Sequence, residues 1–237
     1  MTAAHPNRES QDQLGIFLLL LASADAVFIV VHFLRDMPPF NSNRLFSIET
    51  DKGYAEIYQY VKIYWVTLLT GMLWWRRRGG IFFAWMLLFA YLLCDDAMQL
   101  HEHGGNVIAR TWGFGAAFGL RAQDLGELAM SAAAGLTFLL LLVVMYRRSE
   151  TAAREASRRL AFYLAIVVFF GVGVDMIHIL AGDGGGAAIL GAVEDGGEMV
   201  GISIVCWYVL SLLERRDGTQ ASLRQLAAST LAMARTR

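Results

Sequence analysis

The stretch Leu14–Leu34, LGIFLLLLASADAVFIVVHFL, decides the fold. It meets the roughly 20 residues that an α-helix needs to cross a hydrocarbon core. Only one carboxylate, Asp25, and one imidazole, His32, interrupt it. The polar residues before it, among them His5 and Arg8, the absence of a small-residue cleavage pattern and the internal Asp25 mark a retained first span rather than a removed signal.

Working outward, similar runs recur, and the hydropathy predicts spans near 14–34, 55–75, 80–100, 124–146, 159–180 and 195–213. No strand alternation is visible, and a bilayer accepts only a backbone whose hydrogen bonds are satisfied internally. The expectation is an all-α polytopic membrane protein of about six transmembrane helices, a single bundle over 1–213 followed by a cytoplasmic tail over 217–237. Residues 104–120, Gly-rich and apolar, suit a short surface or re-entrant helix. With 20 basic and 21 acidic residues, the net charge of −1 argues for neither a nucleic-acid partner nor a polyanionic surface. Cys94 and Cys206 both lie in apolar runs and form no disulfide or zinc-finger framework.

Most of the basic residues fall on one side of these spans: Arg8, Arg76 to Arg78, Arg147, Arg148, Arg154, Arg158, Arg159 and the arginines after 214. The other side receives Arg35, Arg44, Lys52, Arg110 and Arg121. The positive-inside rule then predicts cytoplasmic termini in a bacterial inner membrane.

The chemistry repeats. Asp25 and Asp96 are 71 residues apart, as are His32 and His103, Glu56 and Glu127, Glu127 and Glu198, and Arg76 and Arg147. This spacing predicts three helical hairpins, about 14–78, 80–148 and 159–216. The third departs from the pattern, because Asp175 and His178 are only three residues apart.

A charge at mid-membrane costs at least a few kcal/mol, so each polar residue is expected to face the bundle interior. Carboxylates outnumber cations there, and like charges crowd in low dielectric only with proton uptake or a compensating cation. Facing helices that carry acid and histidine one turn apart are how bundles hold two metal ions. The expected ligands are Asp96, His103, Glu127, Asp175, His178 and Glu198. Asp25, His32 and Glu56 either complete the site or form its degenerate third. Carboxylate with imidazole suits iron, manganese or zinc. Asp95 and Glu102 are the spare carboxylates for catalysis, with Glu102 as general base. His101 and Glu102 also admit a reading as the cap of span three, which Gly104-Gly105 would end. Asp124 and Asp195 suit first-turn positions facing a helix dipole, and the small residues 132–135 with Gly171 and Gly173 suit close helix contacts.

Asp95-Asp96 followed after four residues by His101-Glu102 resembles an acid-acid-x4-His-Glu signature of bacterial multi-pass membrane proteins. The resemblance implies a membrane-embedded metal or acid/base site and names no reaction. The site chemistry also resembles that of ferritin-like di-metal carboxylate bundles, with Asp175-x-x-His178 the nearest form of their Glu-x-x-His. Three functions follow. The first is a di-metal oxidoreductase or hydrolase acting on a lipophilic or small-molecule substrate, with a possible redox partner at the arginine-rich face. The second is a divalent-cation or proton-coupled transporter. The third is a haem or quinone electron carrier with His32, His103 or His178 as axial ligand.

Overall fold

The structure is a computed structural model that describes residues 8–40, 42–181 and 187–235. His5, Arg237 and the glycine-rich stretch 182–186 lie outside the described residues. Among the described residues the regular elements are all helical: α1 (Arg8–Leu34), a 3-10 turn at Arg44–Phe46, α2 (Tyr54–Arg77), α3 (Gly80–Met98), α4 (Leu100–Trp112), α5 (Ala122–Arg147), α6 (Thr151–Val168), α7 (Asp175–Ala181) and α8 (Ala187–Arg235). A π-helical turn, Phe169–Val174, joins α6 to α7.

Five helical stretches are long and apolar enough to cross a membrane: Glu9–Leu34, Gly80–Met98, Ala122–Arg147, Thr151–Leu180 and Ala188–Glu214. The sixth expected span, α2, has 24 residues but carries Glu56, Gln59 and Lys62 in its first half. Its burial comes from packing between α3 and α8. By contrast α5 presents Leu136, Leu139, Leu140, Val143 and Val144 outward. A face so continuous and apolar calls for lipid rather than water.

The helix ends sort onto two faces. One, the arginine face, carries the α2–α3 and α5–α6 turns; the other, the loop face, carries residues 35–53 and 99–121. The apolar core lies toward the arginine face, where Leu73, Phe82, Trp85, Leu160, Val205 and Val209 interlock. Trp85 Nε1 donates to Ser157 Oγ there at 2.9 Å, so the buried indole keeps its hydrogen bond. The polar residues gather toward the loop face.

Three sequence expectations change. The helix of span three breaks at Gln99, in the left-handed region at φ 53°, and not at Gly104-Gly105. The two glycines sit inside α4, which restarts where the Asp95 carboxylate accepts the His101 N–H at 2.8 Å. Gly105 serves packing: a Cβ on Gly126 of α5 would overlap the Gly105 carbonyl, so α4 and α5 cross in backbone contact. Gly135 has no such role, because a Cβ there would meet nothing. Finally, α1 packs along α8 and α2 along α3 and α8, whereas α3 meets α5 and α6 meets α8. The α1–α2 pair is therefore bridged by side chains rather than zipped as a hairpin.

Candidate functional site

A cavity of about 180 Å³ lies at the loop face. The 48–51 loop contributes Glu49 and Asp51, the first turns of α2 Glu56 and Gln59, the end of α3 Asp96, α4 His101 and Glu102, and α8 Asp195, Glu198 and Met199. Seven of the lining residues are carboxylates and none is Lys or Arg. Helix periodicity builds the set: Glu56 and Gln59, like Asp195 and Glu198, are three apart and share a face.

Hydrogen bonds hold several of these groups. Gln59 Nε2 donates to Glu198 Oε2 at 3.2 Å. Gln99 Nε2 donates to Asp51 Oδ2 at 3.2 Å and to Glu102 Oε1 at 3.0 Å. The Tyr60 hydroxyl donates to the Asp96 carbonyl at 3.2 Å, and the Lys52 N–H to Glu56. Glu198 is backed by Gly171 in the π-helical turn, where any Cβ would overlap its carboxyl group. The π turn thus brings α6–α7 close enough to α8 to seat this acid.

Two imidazoles flank the cavity, each held by a carboxylate. His178 Nδ1 is 3.0 Å from Glu194 Oε2, and His101 Nδ1 is 3.2 Å from Asp95 Oδ2. Asp95 holds the His101 imidazole above its usual pKa, against burial, with Glu102 and Glu127 adding to the rise. Arg121, the basic residue nearest the start of α5, is spent on Asp124 at 2.6 Å, as a capping pair.

The fold distributes the expected ligands instead of converging them. Asp96, Glu56 and Glu198 share the cavity with Glu102. His178 stands beside it with Glu194, and Glu127 is tied to Gln123 at 2.7 Å against the α4 backbone at Gly105. Asp175 lies within electrostatic reach of His178, Glu127, Asp124 and His101. His103 is exposed, its Nδ1 2.7 Å from the Gln99 carbonyl, because the break at Gln99 rotates it off the cavity and puts His101 there. His32 is buried against Ser47, Arg35 and the Ile48 N–H, with Glu49 3.9 Å away. Asp95 accepts the His101 N–H through Oδ1 and lies 3.2 Å from the His101 ring through Oδ2, so it stands behind His101 at the start of α4. Among the described residues no three His, Cys, Asp or Glu side chains stand within reach of one ion, so the single dinuclear centre expected from the repeat is not assembled in this conformation.

Asp25 leaves the ligand set altogether. Its Oδ1 accepts from Lys62 Nζ at 2.8 Å and its Oδ2 from the Ser203 hydroxyl at 2.6 Å, with both charged side chains shut off from solvent. Sequence reasoning missed Glu49, Asp51, Gln59 and Ser203. Gln59 was within reach of it, on the Glu56–Gln59–Lys62 stripe of α2. The loop acids carry no periodic signal.

Apolar helices of spanning length, an acid-lined cavity at one face and a desolvated ion pair beneath it define a helical bundle of the membrane-spanning type with a polar interior site. The chain belongs to the family described as a domain of unknown function, DUF8692, whose profile matches residues 14–212. No curated protein and no solved structure matches it.

Proposed function

We propose that this is an integral membrane protein that binds a divalent metal cation in the loop-face cavity and carries it across the membrane. One observation supports the reading most: seven carboxylates from a loop and four helical segments line one cavity whose lining holds one imidazole, His101, and no Lys or Arg. Such a group stays ionised beside apolar helices only with a cation among it. Oxygen donors with an imidazole at the rim suit manganese, iron(II) or zinc. Donors that surround a cavity and must close in from separate helices to reach one ion give exchangeable binding, as cargo requires, with Glu198, Asp96, Glu56 and Asp195 as the groups that would move onto it. In this reading α2 is the sixth span, the three units 14–78, 80–148 and 159–216 derive from one repeat whose first pair of helices has separated, and both termini lie in the cytoplasm of a bacterial inner membrane.

A second reading, a metal-dependent oxidoreductase or hydrolase acting on a lipophilic or small substrate, is favoured by the two carboxylate-held imidazoles. A histidine oriented in that way is a ready general base.

The test is calorimetric titration of the detergent-purified protein with Mn²⁺, Fe²⁺ and Zn²⁺, then uptake of the bound metal into proteoliposomes. Metal binding that falls at least about tenfold in Glu198→Gln, with uptake lost, is the expected outcome. Tight binding with no uptake moves the assignment to the enzyme. Failure to bind any of the three ions sinks both.

A further inference from the structure

Beneath the cavity Lys62 Nζ sits among oxygens: Asp25 Oδ1 at 2.8 Å, the Met199 carbonyl at 2.6 Å and Ser203 Oγ at 3.0 Å. The face of Tyr58 closes another side, 4.7 Å from Nζ to the ring centroid. A carboxylate, a peptide carbonyl and a hydroxyl, drawn from α1 and α8, are the donors a small monovalent cation accepts when it sheds water inside a helical bundle. The ammonium group occupies that cage as a tethered cation. Ser203 also donates to Asp25 Oδ2 at 2.6 Å, which holds the carboxylate in place whatever fills the cage.

The cage tolerates few charge states. Carboxylate with ammonium is neutral overall, and so is carboxylate with a monovalent ion and a neutral amine. Carboxylate with amine alone leaves a bare charge out of water, at a cost of several kcal/mol. We propose that this cage is a monovalent-cation/proton exchange site: a sodium-sized ion occupies it as Lys62 releases one proton, and leaves as Lys62 regains it. One N–H bond of the ammonium group breaks, the proton passes to cavity water, and the freed nitrogen lone pair becomes a fourth ligand.

The route is short. Gln59, one helical turn from Lys62 on α2, lines the cavity, and so does Met199, whose carbonyl is a cage ligand. The groups facing Lys62 are Asp25 from α1, Tyr58 from its own helix, and Ser203 and Cys206 from α8. The α3 helix, also packed on α2, carries its acids Asp95 and Asp96 at its loop-face end. The site is separate from the metal-cargo reading, and either can fail without the other.

The full chain in detergent is titrated with LiCl, NaCl and KCl against choline chloride at constant ionic strength, from pH 6 to pH 10. An alkali-specific heat and rise in melting temperature at high pH is expected, with affinity falling about tenfold per pH unit as the pH drops. Buffers of different ionisation enthalpy should report about one proton released per ion bound. Ser203→Ala should weaken binding about tenfold, and Lys62→Met should bind without pH dependence. If Lys62→Met does not fold, the wild-type buffer series and Ser203→Ala decide. The proposal is overturned by equal behaviour in alkali and choline salts at every pH, by binding without proton release, or by binding that vanishes in Glu198→Gln and survives unchanged in Ser203→Ala.

Discussion

The Lys62–Asp25 pair lends itself to a double-mutant cycle. Both side chains are desolvated and 2.8 Å apart, and the ammonium donates to three oxygens. Asp25→Leu leaves that ammonium with a carbonyl and a hydroxyl but no counter-charge; Lys62→Met leaves the carboxylate with the Ser203 hydroxyl alone. Breaking a buried pair from one side costs about 3–5 kcal/mol, whereas replacing both partners with apolar groups of similar volume is often close to neutral. Each single variant should therefore lose at least about 3 kcal/mol, and the double variant should return to within about 1 kcal/mol of wild type. Reversible unfolding in mixed micelles with rising SDS fraction, followed by far-UV circular dichroism and tryptophan fluorescence, reads all four corners. Single variants within about 1 kcal/mol of wild type, or a double variant as unstable as the summed singles, would refute the argument. Lys62 would then have other partners and would not anchor α1 to α2 and α8.

Two further outcomes can be checked in the same system. Gly126→Ala should cost about 1–3 kcal/mol because its methyl group would run into the Gly105 carbonyl, while Gly135→Ala, facing open space on the same helix, should be neutral or stabilise by up to about 1 kcal/mol; equal effects would contradict the α4–α5 contact. Asp95 raises the pKa of His101, so the contribution of their ion pair is complete below the unfolded value of about 6.5 and is lost as pH rises through the folded value. Hydrogen exchange across α4 should accordingly quicken on going from pH 6 to pH 8, after correction for intrinsic rates. Asp95→Asn should remove most of that dependence, with Glu102 and Glu127 sustaining the remainder, and a dependence of undiminished size would separate His101 from Asp95.

The helices were readable because a bilayer imposes a length and a composition on each one, and Leu14–Leu34 or Ala122–Arg147 meets both without help from neighbours. The helix α4 was legible only in part, as a short helix within residues 104–120, since neither its start at Leu100 nor its end at Trp112 was marked. A left-handed residue at Gln99 has no compositional mark, and Gly104-Gly105 drew attention as a terminator when the glycines are there to let α5 approach. The 71-residue offset placed Asp25 beside Asp96 in type, yet their surroundings differ: one is matched by Lys62, the other borders an acid cavity.

That the chain is all helix, that it has spanning lengths, and that acids and imidazoles are concentrated toward one end of the helices were determined by local sequence alone, since hydropathy and helical periodicity act within one segment. Which carboxylates meet was decided by packing. The break at Gln99 rotates His101 inward and His103 outward, the π turn brings Gly171 against Glu198, and the crossing of α1, α2 and α8 pairs Asp25 with Lys62. These depend on contacts between residues far apart in the chain, and spacing along one helix carries no information about the face its neighbour will offer.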